Sequence, residues 1–497
     1  MKLLFRIGNT FFFLMGFLTL YFSVNFLFQF LNIDFTNLTT ITALLLVVAL
    51  VLSIILFFIK DRTVVYFKKN VSFIFSHKKQ VFAALLVFQL LIFFSSIALA
   101  SADTTIVYQI TTNKNFASST DYISLNPNNF LLLIWFKLNY FIFKNQFVFF
   151  LGLWNIFFID FSIILVYRTN QQIFSNRIAN ITWLISILWL GISPQYIYTY
   201  SDSITLFVLS LLLFYLIKYL NSKSLPLGIL LGFLLAIAYG LRPTVIIYVI
   251  AGGIVIVNRL VKKKENFKKV LKMVLPVFVT FILFNACSKV YLNNQTFVAY
   301  DNGKSRTLLY YVDLGLTYTG NEHAQLPEAV LTSKGKDRNK EALKDIKRRI
   351  KDYTFASFTG HIFYKFYWIT GEGNFGWFQE RVLSESQRLS IPFLKRIQNN
   401  KLMSFIRSYV YVGQNYQLYG LFIQLVWIIV AFGLMYYSFN FSLESYGLFY
   451  QITIFGGLLF LMIFEGGRSR YLLQFFPAIV TISSLGLSKF LNRVSER

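Results

Sequence analysis

Apolar residues in this chain come in unbroken runs separated by short polar segments. The runs fall near 10–32, 39–59, 80–100, 147–167, 174–192, 203–220, 226–240, 243–258, 270–288, 414–437, 446–464 and 471–488. A run of about twenty residues rising 1.5 Å each matches ~30 Å of hydrocarbon. Only helices and closed barrels satisfy their backbone groups in lipid, and continuous rather than alternating runs point to helices. The pattern therefore predicts an all-α polytopic membrane protein of about 12 transmembrane helices. A further apolar stretch, 130–143, is short and carries Lys137 and Asn139, which places it along the membrane surface. The first run lacks a small-residue cleavage site and reads as a retained anchor.

The polar segments set an expected orientation. Lys60, Arg62, Lys68, Lys69, Lys78 and Lys79 crowd one loop, and Arg259, Lys262, Lys263, Lys264, Lys268 and Lys269 another. Basic short loops stay on the cytoplasmic side. Threading twelve spans through these two loops puts both termini in the cytoplasm and 101–146, 193–202, 289–413 and 465–470 outside. Four regions result. Residues 1–79 form a two-span extension with its basic loop, and 80–288 a membrane core with 101–146 as its first outer loop. Residues 289–413 form a small extracytoplasmic domain with amphipathic helices, and 414–497 a three-span bundle. Within the outer domain, "KDRNKEALKDIKRRIKDY" lines up Ala342, Ile346 and Ile350, with Leu343 and Tyr353 beside them and basic residues opposite. That is a basic amphipathic helix, docked on its domain or touching anionic lipid.

Composition narrows the class. The chain of 497 residues is 56% hydrophobic and 14% charged, with mean hydropathy +0.59. Its net charge of +26 would suggest nucleic acid in a soluble protein. Here it matches loops beside anionic headgroups, so no nucleic-acid partner is expected and membrane lipids are. One Cys and three His leave no disulfide framework and no zinc cluster. No phosphate-cradling glycine loop is present.

Against this background a few charged residues stand out, all at the expected outer ends of spans. Asp103 follows the third run in "SIALASADTTIVYQI", and Asp202 precedes the sixth in "SPQYIYTYSDS". Arg242 sits in the "YGLRPT" turn, and Glu465, Arg468 and Arg470 in "FEGGRSRY". Ionisable groups at the hydrocarbon boundary are costly and are commonly paired or functional. Each has a structural alternative: helix capping for Asp103 and Asp202, a snorkelling turn for Arg242, an ion pair for Glu465 and Arg470. Gathered together, they suit group transfer from a lipid-linked phosphate. Arginines hold phosphate oxygens in forked geometry, and a carboxylate takes the proton of an attacking hydroxyl.

These residues sit in stretches that resemble the GT-C superfamily of integral-membrane glycosyltransferases, in its family-39-like, mannosyltransferase-like branch of Gram-positive bacteria. There is a fainter similarity to the exosortase-associated subgroup. The stretches are "SADTTIVYQ", "DYISLNPNNFLLLIWF", "LGISPQYIYTYSDS", "YGLRPTVIIY", "GEGNFGWFQE" and "FEGGRSRYLLQFFP", covering roughly residues 100 to 480. The resemblance implies a GT-C-like fold and an undecaprenyl-phosphate sugar donor. The acceptor would be an envelope glycan, teichoic acid, glycolipid or protein, with inversion at the sugar carbon. It assigns Asp103 as catalytic base with Asp202 as the second catalytic carboxylate. Arg242, Arg468 and Arg470 would bind the donor phosphate. Glu465, Tyr471, Tyr122, Asn128, Glu372 and Trp377 would orient or bind substrate, Tyr122 and Trp377 by stacking on a sugar face. Where many relatives carry two adjacent acids, this chain has Asp103 followed by Thr104. No cofactor is expected, and a divalent metal is compatible but not indicated. Three alternatives remain open: an envelope polysaccharide polymerase or ligase, a lipid-linked glycan transporter or flippase, and a non-catalytic scaffold that retains the fold. Transporters show paired repeats and midplane polar groups; this chain shows no convincing internal repeat, and the acids singled out lie at the outer rim beside one long outer domain.

Overall fold

The computed structural model describes residues 2–30, 72–377, 383–413, 415–440, 445–464, 466 and 468–495. The described residues form helices joined by short turns, and the one strand-like pairing among them is an isolated bridge between Ala98 and Arg388. Nine helical segments among them are long and apolar enough to cross a membrane. Two predicted runs form shorter helices: Leu225–Leu241, and Asn176–Ser186 continued by a π turn over Ile187–Gly191. The 39–59 run lies outside the described residues. The expected twelve spans are thus met in part. Of the three runs not among the nine, Leu225–Leu241 is continuous but only 17 residues long, and 174–192 is divided between an 11-residue α-helix and the π turn.

Helix Phe130–Phe143 does not stand apart. It ends at Lys144, which has φ 49°, and folds back on helix Phe147–Ile173. Trp135 meets Trp154 and Phe158 at 5.9 and 6.0 Å between ring centres.

The C-terminal bundle packs by small residues, as membrane helices do when no hydrophobic driving force separates them from lipid. Helices Tyr416–Tyr437 and Phe476–Ser495 cross so closely that a Cβ on Gly486 would lie 2.0 Å from the Gly433 carbonyl oxygen.

The 289–413 segment divides into three. Helices Leu308–Gly315, Glu328–Thr332 and Gly335–Asp352 enclose their own small core of Tyr310, Leu314, Leu326, Val330 and Ala342. The predicted amphipathic stripe is corrected here. Ala342 and Ile346 are buried but Ile350 and Leu343 are exposed, and Arg338 and Asp345 take the inner face instead. Arg338 goes in because the Val330, Leu331, Lys304 and Ser305 carbonyls accept from its guanidinium. The second part is helix Phe355–Thr370 with the loop 371–377, which plugs into the bundle. Its carbonyls are satisfied by Gln424 and Trp189, which donate to Gly371 and Gly373, and by Gln195, which donates to Asn374. The third part, 383–413, grips the end of helix Lys78–Ser96.

Candidate functional site

Helix Lys78–Ser96 begins with two lysines and ends at the site. Past Ser96 the chain leaves the helix, passes through Ala102 at φ 60°, ψ −130°, and restarts as helix Asp103–Thr112. Asp103 is therefore the first residue of that helix, where a negative charge suits the helix dipole. It is not the cap; Ala102 holds that position with no side-chain bond.

The loop 193–200 lies buried across the bundle because Asn155 Nδ2 donates to the Tyr196 and Tyr198 carbonyls (3.3 and 2.8 Å). This delivers Tyr200 to the centre of the site. Its hydroxyl donates to Asp103 Oδ2 (3.1 Å) and lies 3.2 Å from Asn129 Oδ1. Asn129 Nδ2 donates to the Tyr122 hydroxyl (2.7 Å). Two guanidiniums flank the Tyr200 ring, Arg242 at 4.8 Å and Arg470 at 5.7 Å from its centre. Arg470 also donates to the Tyr471 hydroxyl (3.0 Å) and sits 4.9 Å from that ring. Burial pushes the Tyr200 phenol up to about 12, although Arg242 pulls it down. Burial, with Tyr200 and Asp103 nearby, raises Tyr122 well above the usual phenol range. Both hydroxyls are thus donors at any physiological pH.

A cavity of about 260 Å³ opens over this network. Asp103, Arg468 and Arg470 line it, with Tyr198, Tyr200 and the 100–104 turn. Asp202 and Arg242 are brought to the same place but are not among the residues lining the cavity. They form a buried pair at 2.8 Å, in which each charge offsets part of the other's burial cost. Tyr471 is buried with them. Glu372 is buried in the 371–377 loop, where Ser469 Oγ donates to its Oε2 (3.2 Å). Ser469 also accepts from the Gly376 N–H (2.8 Å), which ties this loop to the arginine-bearing one.

Three sequence expectations are relocated. Asn129, not Asn128, joins the network, because the 127–129 turn buries the second asparagine and leaves the first half-exposed. Trp377 is fully buried against Tyr416 and Tyr419, with ring centres at 4.7 and 5.0 Å, so it packs the core and offers no face to a sugar. Tyr122 offers its hydroxyl to the network while its ring is buried. Glu465 lies outside the described residues. Among the described residues no group of three His, Cys, Asp or Glu side chains is placed to hold a metal ion.

The residue that sequence reasoning missed is Tyr200. It stands two positions before Asp202, but nothing distinguishes it from the other tyrosines of a chain that has 30.

The helices and this charged cavity at the end of the bundle define an all-helical, multi-pass integral membrane protein. The chain belongs to the family described as conserved hypothetical integral membrane protein, matched over residues 1–490. No curated protein matches it.

Proposed function

We propose that the protein transfers a sugar from a polyprenyl-phosphate carrier to a hydroxyl acceptor at the extracytoplasmic face. The acceptor O–H gives its proton to Asp103 as its oxygen bonds to the anomeric carbon. The bond from that carbon to the phosphate oxygen breaks with inversion, and polyprenyl phosphate leaves. Arg468 and Arg470 bind the phosphate and stabilise charge building on the leaving oxygen. Tyr200 orients Asp103, and the Asp202–Arg242 pair supports the Tyr200 ring.

The observation that carries this reading is that one carboxylate and two guanidiniums line a single cavity. At about 260 Å³ it is near the low end of ligand pockets, ~300–1,000 Å³, a size suited to one sugar ring. Asp103 and the arginines approach it from separate helix ends, as a base and a leaving-group clamp must.

The test is reconstitution in liposomes with synthetic polyprenyl-phosphate sugars, one sugar at a time, following release of polyprenyl phosphate. Asp103→Asn should slow release by ~10²-fold or more, the range for loss of a general base, with expression and insertion unchanged. Wild-type rates from that variant would remove Asp103 from the chemistry, and no release with any donor would remove the reaction.

A further inference from the structure

The outer helices carry a second polar group that the transfer chemistry leaves unused. The segment 299–306 is zipped onto the first outer loop. Ala299 N donates to Ala117 O (2.9 Å), Asp301 N to Ser124 Oγ (2.9 Å) and Arg306 N to Leu125 O (3.1 Å), while Lys304 pairs with Asp121 (2.6 Å). This fixes Arg306, whose NH1 donates to Asn126 Oδ1 (3.1 Å) and whose guanidinium lies 5.2 Å from the Tyr310 ring centre. Asn126 in turn donates to the Tyr122 carbonyl (3.2 Å), so Arg306 is joined through the 122–129 turn to the Tyr200–Asp103 network.

Beside Arg306 stands His323. Its Nδ1 is 2.7 Å from the Tyr310 hydroxyl. Tyr310 is buried, which raises its phenol and keeps it protonated. It therefore donates to Nδ1, and the neutral imidazole carries its own proton on Nε2. That nitrogen has no partner among the described residues. The half-buried His323 lies within electrostatic reach of Arg306 and of the cavity residues Arg468 and Asp103, with Glu322 also facing it. Burial and the two arginines hold its imidazole below the usual range, so the ring is a neutral donor.

We infer that Arg306 and His323 form an anion subsite joined to the Tyr200–Asp103 network, which takes a phosphate ester borne by the acceptor. The guanidinium and the imidazole Nε2–H supply two donors, and Arg468 adds positive field from the cavity wall. The acceptor is favoured as the source because Arg306, in the link before helix Leu308–Gly315, and His323, in the turn His323–Gln325, both lie outside the membrane-crossing helices. This inference rests on the transfer reading for the word acceptor, not for the anion.

Two measurements separate these parts. Titration of the protein in neutral-lipid nanodiscs with glycerol 1-phosphate, without donor, should give saturable binding. Arg306→Gln and His323→Leu should each weaken it about tenfold or more, as expected for loss of one charge-assisted bond. Arg306→Lys should recover part of it, which guards against misfolding, and Asp103→Asn, which removes a nearby negative charge, should not weaken it. Absence of saturable binding, or binding indifferent to Arg306 and His323, overturns the subsite. In the transfer assay, Arg306→Gln should raise KM for a phosphate-bearing acceptor and leave the donor KM unchanged. A rise in donor KM instead would assign the anion to a diphosphate-linked donor and overturn the acceptor assignment.

Discussion

The Asp202–Arg242 pair gives the sharpest test of how the site is built. The two side chains are 3% and 9% exposed and 2.8 Å apart. Two charges this deep need compensation, and each supplies part of the other's. Asp202→Asn removes the negative member of the pair and leaves the guanidinium buried without it, and Arg242→Met removes the positive member from beside the carboxylate. Breaking a buried pair from one side costs about 3–5 kcal/mol, whereas replacing both partners with groups of similar volume is close to neutral. The double variant, Asp202→Asn with Arg242→Met, should therefore be far less destabilised than the two single losses added together. The assay is thermal unfolding in detergent, followed by fluorescence-detected size exclusion. Each single variant should melt several degrees lower, and the double should recover most of the loss. Additive losses would refute the account, because they would mean that the charges do not compensate one another. So would a single variant that melts within about 1 °C of the parent. Arg242 also lies 4.8 Å from the Tyr200 ring centre, so the double variant should stay impaired in transfer even where stability returns.

Tyr200→Phe keeps the ring between its two guanidiniums and deletes the bond to Asp103. A hydrogen bond to a charged group is worth ~1.5–3 kcal/mol, so transfer should fall about tenfold or more with little change in melting, and an unchanged rate would show that Tyr200 does not orient Asp103. Asp313 is buried, and burial together with Asp345 lifts its carboxyl to about 7. Its proton stabilises the fold below the usual carboxylate range, and that contribution is lost as pH rises through about 7, so hydrogen-exchange protection in helices Leu308–Gly315 and Gly335–Asp352, measured relative to the intrinsic rate at each pH, should fall from pH 5 to pH 8. Arg348 and Arg349 hold the partner Asp345 below its usual value despite burial, which confines the opposite effect to lower pH, and Asp313→Asn should flatten the slope, at most ~1.4 kcal/mol per pH unit for one proton. For topology, a cysteine at the exposed Ser119, with Cys287 replaced by serine, should react with an impermeant maleimide added outside intact cells, and protection there would reverse the assigned sides.

Most helices were legible because one rule governs them: a run apolar enough for lipid must be helical. The gathering of Asp103, Arg468 and Arg470 was legible for a related reason, since charge at a membrane boundary is too costly to be scattered. What sequence could not rank was which charges face the cavity and which lie beneath it. Arg242 and Arg470 read alike along the chain, and only the position of Asp202 pulls one of them under. The aromatic residues were equally opaque. Trp377 and Tyr200 are both ordinary in a chain that is 19% aromatic. Whether such a ring packs the core or offers a hydroxyl depends on neighbours distant in sequence, Tyr416 for one and Asp103 for the other. The amphipathic stripe failed at Ile350 because buried arginine and aspartate can replace apolar residues when carbonyls and guanidiniums complete their bonds.

The placement of Asp103 explains why the segment 383–413, so far along the chain, packs against helix Lys78–Ser96. The last carbonyls of a helix have no partner within it, and helix Lys78–Ser96 ends beside the cavity. Arg407 donates to the Ser95 carbonyl (3.2 Å), the Tyr411 hydroxyl to Ser96 (3.0 Å) and Gln398 Nε2 to Ile97 (3.3 Å), while Leu99 N donates to Gln387 O (3.0 Å). Every partner lies in 383–413. With the helix end held, the chain can pass through Ala102 in a region of backbone space that non-glycine residues avoid, a strain of order 1–3 kcal/mol that persists only where its surroundings enforce it. The strained residue turns the chain so that Asp103 begins its own helix facing Tyr200. The carboxylate is thus aimed from two sides, by the Tyr200 hydroxyl in front and by the 383–413 grip behind. Loosening that grip would release the strain at Ala102 and move Asp103 off line before it unfolded any helix.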